Sequence, residues 1–295
     1  MKFESINYKK YKKNHGRENQ FFITAYVGIS LIQSTDDKPE DLSTSWNPKS
    51  IDSTKIESKF FIQKSSLVYS ISAFETYLSD FILDQVLPFQ SDLDPDPDSD
   101  WSDLSAAYSG KSLFRKIEVL IEHFPNLRKK EYFLLIVSIF WRNKLIHNSK
   151  ESLSGALKGE LRKYSQDFLT SYCNLDIEKL INHYEAHNVP TFKETLSMMT
   201  NLRNFASKID EFFTSRLPID KYIAHNITKL IDIGKIKKFD LSSNHDNKTR
   251  FWTNVFEIHL RLNVNDEVKG LDIWNDLIQA ENREKVEHIL GNILN

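Results

Sequence analysis

The stretch "EYFLLIVSIFWRNKLIHNSK" (Glu131–Lys150) decides the fold. Wound at about 100° per residue, its run "YFLLIVSIFW" (Tyr132–Trp141) is apolar on every side. A helix of that kind has to be surrounded, either by its own domain or by a partner subunit. The pattern predicts a helix from about Lys129 to Lys150. The apolar run stops abruptly at Arg142 and Asn143, and His147 follows four residues after the asparagine.

Outward from this segment there is almost no period-2 alternation, and amphipathic helical spacing dominates. Helices are expected near Glu18–Gln33, Thr54–Leu87, Ser112–Phe124, Gly155–Ser171, Asp176–His187 and Thr191–Ser215. Thr54 with Glu57, and Thr191 with Glu194, have capping-box spacing, and Ser53 competes with Thr54 for the first cap. Polar loops are expected over Ser34–Ser53 and over "PFQSDLDPDPDSDWSD" (Pro88–Asp103), where prolines break helices and aspartates repel one another. Pro218 marks a plausible boundary. Beyond it come an amphipathic stretch at Ile219–Ile233 and a polar break at residues 234–250. Helical patterns resume at Phe251–Leu262 and Glu281–Leu294. The expected fold class is all-α.

The 295 residues suffice for one large domain or two modest ones. Glycine and proline are scarce, at 8 each, which argues against a chain of short strands and tight turns. A net charge of −2 excludes a global basic field for nucleic acid, so any such contact must be local. The single cysteine, Cys173, forbids an intrachain disulfide and fits a reducing, cytoplasmic setting. No run approaches the ~18 apolar residues of a membrane span, and the opening residues carry no apolar leader.

Asn143 and His147 form an i,i+4 pair on one helix face, and Arg142 sits at the edge of that arc. A permanent cation, an amide and a titratable imidazole suit phosphodiester chemistry without a metal or cofactor. Cleaving RNA through its own 2′-hydroxyl needs a base, an acid and positive charge on the phosphorane. One histidine per chain supplies half of the acid–base pair, and two chains meeting across this helix would supply both. Arginine and asparagine at a helix end also cap or solvate it, and a histidine there interacts with the helix dipole. Periodicity leaves both readings open.

"RNKLIHN" resembles the Arg-x(4–6)-His signature of HEPN domains, in the form with Asn directly after Arg. "SLVYSISAFETYLSDFI" (Ser66–Ile82) is similar to the earlier long helix of that family, with Glu75 in the place of its acidic residue. "LDIEKLINHYEAHNVPTFKETLSMMTNLRNFASKIDEFF" resembles the closing helices of HEPN proteins from bacterial defence and toxin loci. The likeness covers about Glu18–Arg216, giving a basic segment 1–17, a HEPN-like domain 18–216 and a helical extension 217–295 of no assigned role. It implies a helical bundle that dimerises with two motifs facing one cleft. It further implies a metal-independent endoribonuclease of toxin or antiviral type, with RNA as substrate and an antitoxin or defence-system protein as possible partner. By position, Arg142 would hold the phosphate and His147 would move protons. Asn143 would support His147, and Glu75 would orient Arg142 or His147. Some members carry a tyrosine two residues after the histidine that a partner modifies. Ser149 stands there, so that mode of neutralisation is not expected. The alternative is a catalytically silent module that senses RNA or a nucleotide, or holds a partner protein.

Three weaker candidates remain. His183 and His187 flank Glu185 at i,i+4, but no third metal ligand is evident, and an exposed pair is expected. "NYKKYKKNHGR" (Asn7–Arg17) offers Lys9, Lys10, Lys12 and Lys13 for a phosphate backbone and Tyr8 and Tyr11 for bases, but a flexible, solvated segment without that role is the favoured expectation. Lys144, inside the motif, joins them as a candidate RNA contact. Cys173 is expected to be a small packed residue.

Overall fold

The structure, a computed structural model, describes residues 3–93, 102–236 and 244–294. It is all-α: no strand occurs among the described residues. The helices are α1 (Ile6–Leu31), α2 (Ile51–Phe81), α3 (Gln90–Leu93), α4 (Ser102–Tyr108), α5 (Leu113–His123), α6 (Lys130–His147), α7 (Gly155–Lys163) and α8 (Ser165–Ser171). They continue with α9 (Ile177–Glu185), α10 (Phe192–Thr214), α11 (Ile219–Asp232), α12 (His245–Asn254), α13 (Asp266–Lys269), α14 (Asp272–Gln279) and α15 (Arg283–Leu294). None of the described helices is long and apolar enough to cross a membrane.

The chain divides into two compact units. One comprises Lys10–Asp80 and Ser102–Ile209; the other comprises Met1–Lys9, Phe81–Trp101 and Asp210–Asn295.

The first unit is built around α6. Its apolar run is covered by the chain itself: Leu134, Leu135 and Val137 are 0% exposed, and Phe133, Ile136 and Ile139 are also buried. The expected surround is therefore intramolecular, and the run is not left over as a dimer face. Polar ties fix its first turn. The Asn201 amide donates to the Glu131 carbonyl at 2.9 Å, and the Tyr172 hydroxyl donates to the Glu131 carboxylate at 3.3 Å. Thr191 and Glu194 form the expected capping box at the start of α10. The Glu194 N–H donates to Thr191 Oγ1 at 3.2 Å, and the Thr191 N–H donates to Glu194 Oε2 at 2.7 Å.

Two N-terminal expectations are overturned. The basic segment is not a solvated tail but the first half of α1, because Tyr8, Tyr11 and His15 fall on one helical stripe and are buried there. The cap of α2 is Ser50, whose Oγ accepts from the Ser53 N–H at 3.3 Å; Thr54 already lies inside the helix. The α-helical part of α2 also ends earlier than expected, widening to a π-helical turn at Ile82–Val86. Of the acidic loop, residues 94–101 lie outside the described residues.

The second unit packs Tyr222, Ile223 and Ile227 of α11 against Trp252, Phe256, Trp274, Leu277 and Leu290. The N–H groups at the start of α1 are tied into it. The Ser5 N–H donates to both carboxylate oxygens of Asp210, at 3.3 and 3.2 Å, and the Ile6 N–H donates to the Tyr222 hydroxyl at 2.9 Å.

Candidate active site

Helix α6 ends at His147, three residues before its expected limit, where Asn148 turns left-handed at φ 53° and its N–H donates to the Lys144 carbonyl at 3.0 Å. Two side chains pin the end of α6 to α9 and the residues just after it. Trp141, 1% exposed, donates its indole N–H to the Asn188 carbonyl at 3.1 Å and sets its ring edge against Tyr184. Lys144 places Nζ 3.0 Å from the Tyr184 carbonyl and 3.6 Å from the centroid of the Tyr184 ring. Burial lowers the Lys144 ammonium from its ordinary value, against the opposing pull of Glu185 and Glu151. Lys144 is thus a buried strut, and the expectation that it contacts RNA is corrected: only 8% of it is exposed.

The remaining motif residues stand on that support. Arg142 and Asn143 are half-buried and His147 is exposed. An Arg142 terminal N–H donates to Asn143 Oδ1 at 3.2 Å. The Arg142 Nε is shielded from solvent with no hydrogen-bond partner, and no carboxylate pairs with this guanidinium among the described residues. Asn143 therefore supports Arg142; no hydrogen bond joins it to His147 among the described residues. The helix end presents an unneutralised cation with an unused donor, an amide and an open imidazole within two turns. Ile146 beside them is 41% exposed.

Glu75 lies elsewhere. Its carboxylate pairs with Lys116 Nζ at 3.2 Å, and the same ammonium donates to Ser79 Oγ at 3.1 Å. Among the described residues no hydrogen bond or ion pair links Glu75 to Arg142 or His147. Lys116 went unnoticed in the sequence, since a lysine 41 positions away gives no local signal. Ser149 Oγ accepts the Glu151 N–H at 3.3 Å.

The weaker candidates resolve individually. His183 Nδ1 lies 2.9 Å from Glu194, while His187 follows the end of α9 with φ 58°, so the two do not form a ligand pair. No group of three metal-ligating side chains occurs among the described residues. Tyr8 and Tyr11 are buried and cannot stack on bases. Lys9 donates to the Arg261 carbonyl, Lys12 is half-buried, and Lys10 and Lys13 are exposed. Cys173, expected to be packed, is exposed at φ 52°, because the turn after α8 points it outward.

Comparison with protein-family models, curated proteins and solved structures finds no match to this chain.

Proposed function

We propose that the chain is a metal-independent endoribonuclease of HEPN type, acting in the cytoplasm as a toxin or antiviral effector. The observation that carries this reading is Arg142, without a carboxylate counterion among the described residues, within two helical turns of an exposed His147 on a firmly anchored helix end. A phosphodiester supplies the anion that the guanidinium lacks, and two of its oxygens match the guanidinium fork.

In the proposed reaction one His147 removes the proton from a ribose 2′-hydroxyl. The freed oxygen attacks the adjacent phosphorus, and Arg142 stabilises the charge on the phosphorane. The bond to the 5′-oxygen breaks, and a second imidazole protonates that leaving group. The products are a 2′,3′-cyclic phosphate and a 5′-hydroxyl. Because each chain has one such histidine, the second comes from another copy in a homodimer.

The test is cleavage of RNA in EDTA by wild type, Arg142→Ala and His147→Ala. Each substitution should lower the rate by about 10²–10⁴-fold, the usual worth of a positioned proton-transfer or charge-stabilising group. Equal cutting by wild type and His147→Ala, or no cutting of any RNA class, refutes the reading. One observation favours the rival, a silent RNA-binding or protein-holding module: Glu75 is engaged by Lys116 and not by the motif. That rival gains if wild type binds RNA without cutting it and His147→Ala binds equally well.

A further inference from the structure

Helices α1 and α2 enclose a groove of about 720 Å³, within the range of small-ligand sites. Apolar side chains, two of them aromatic, form one part of its lining: Phe21, Ile62, Val68 and Tyr69, with Phe21 68% and Tyr69 62% exposed; serines of α2 and Asn14 form another.

Two polar groups in the same groove have unmet hydrogen-bonding capacity. Ser70 is 0% exposed, and its hydroxyl has no hydrogen-bond partner among the described residues. Its neighbours along α2 behave differently: Ser72 donates to the Val68 carbonyl at 3.0 Å, and Thr76 donates to the Ser72 carbonyl at 3.1 Å. Glu18 is the second. Its Oε2 is shielded and has no hydrogen-bond partner among the described residues, and the imidazole Nδ1 of His15 is 4.0 Å away. A buried acceptor left unsatisfied costs about 1–3 kcal/mol, more when it is charged. Native proteins leave few such groups without a reason.

We propose that this groove binds a primary α-ammonium group attached to a large apolar side chain. The ammonium would seat on Glu18 and Ser70, and the side chain would lie among Phe21, Ile62 and Tyr69. An ammonium carries three donors and no acceptor, and both unmet atoms can accept. Burial raises the Glu18 carboxyl above its ordinary value, against the opposing pull of Arg17, so a bound cation relieves part of a standing cost. Arg17 lines the same groove and is exposed, placed to take a carboxylate if the ligand has one. The ammonium-bearing ligand is a free amino acid or the amino terminus of a peptide, and the site chemistry is common to both. The site stands independently of the nuclease reading.

The test is calorimetric titration of the full-length protein with L-phenylalanine, L-phenylalanine amide and N-acetyl-L-phenylalanine. The first two should bind, and the acetylated compound should bind at least about ten-fold more weakly, as loss of a charged hydrogen bond implies. Glu18→Gln should erase that preference. Phe21→Ala, at an exposed side chain that folding does not need, should weaken both amines several-fold. Tighter binding of L-phenylalanine than of its amide assigns a free amino acid held also by Arg17; the reverse assigns a peptide terminus. Equal binding of the acetylated compound, a preference that survives Glu18→Gln, or no binding of either amine at millimolar concentration overturns the proposal.

Discussion

Replacing Asp210 by asparagine should stabilise the protein at alkaline pH and leave it nearly unchanged in acid. Asp210 is 2% exposed and accepts the Ser5 N–H on both oxygens. Burial raises its carboxyl from 3.8 to about 7, outweighing the Ser5 donors and Lys9, with Glu4 adding to the rise. Below the unfolded-state value, folded and unfolded chains both hold the proton and the group has no effect. Between about 4 and 7 the folded state keeps a proton that the unfolded state has released, so stability falls as pH rises. Above about 7 the loss is complete. At 1.36 kcal/mol per pH unit, a displacement from 3.8 to about 7 corresponds to about 4 kcal/mol. Asparagine cannot ionise, and its carbonyl oxygen still accepts one Ser5 contact. The stability of Asp210→Asn relative to wild type should therefore rise by about 2–4 kcal/mol between pH 4 and pH 8. Urea unfolding followed by circular dichroism measures it, with amide exchange at Ser5 and Ile6 as the local readout. A difference that stays flat with pH, or that falls, refutes the reasoning.

Other consequences can be measured on the same protein. Lys144→Met should cost about 1–2 kcal/mol, since it removes a charged hydrogen bond and a cation–π contact while relieving burial of the charge. It should leave the salt dependence of RNA binding unchanged, because Lys144 is almost wholly buried; a shallower salt slope would restore it as an RNA contact. Thr191→Ala breaks the capping box of α10 and should cost about 1 kcal/mol in a thermal or urea melt; a change within error would mean Glu194 holds the cap alone. His147→Ala should shift stability by less than about 0.5 kcal/mol, since the side chain is exposed and makes no hydrogen bond or ion pair among the described residues. A large loss of stability would mean that the imidazole serves the fold.

What was legible in the sequence follows from how local each signal is. The α6 helix announced itself through ten residues apolar on every side, and the Thr191–Glu194 box through two residues three apart. The first half of α1 was hidden because its buried stripe consists of Tyr8, Tyr11 and His15 among lysines, so it read as a basic tail. Helix α14 was missed because eight residues, with Ile273, Trp274, Leu277 and Ile278 inward, are too short for periodicity to stand out. At the motif, residue types showed the chemistry on offer but not the partners. Lys144 looked solvated because lysines usually are, and only the fold brings the Tyr184 carbonyl under its ammonium. The Glu75–Lys116 pair likewise depends on α2 meeting α5, which no local spacing encodes.

The burial of α6 sharpens what a composite nuclease site requires. Phe133 to Ile139 and Trp141 are spent inside one chain, so a second copy cannot dock on that run. Any pairing that joins two motifs must use the surface around the exposed Ile146 and His147. The apolar run of α6 contributes nothing to that contact, and exchange of subunits is verified before the cleavage assay. This gives a direct measure of whether the two imidazoles work together. Mix wild type with increasing His147→Ala at constant total chain and follow RNA cleavage. If base and acid come from different chains, a mixed dimer lacks one of them, and activity falls as the square of the wild-type fraction. If each chain carries a complete site, activity falls in proportion to that fraction. A linear decline after verified exchange would refute the composite site and place the second proton-transfer group within the same chain.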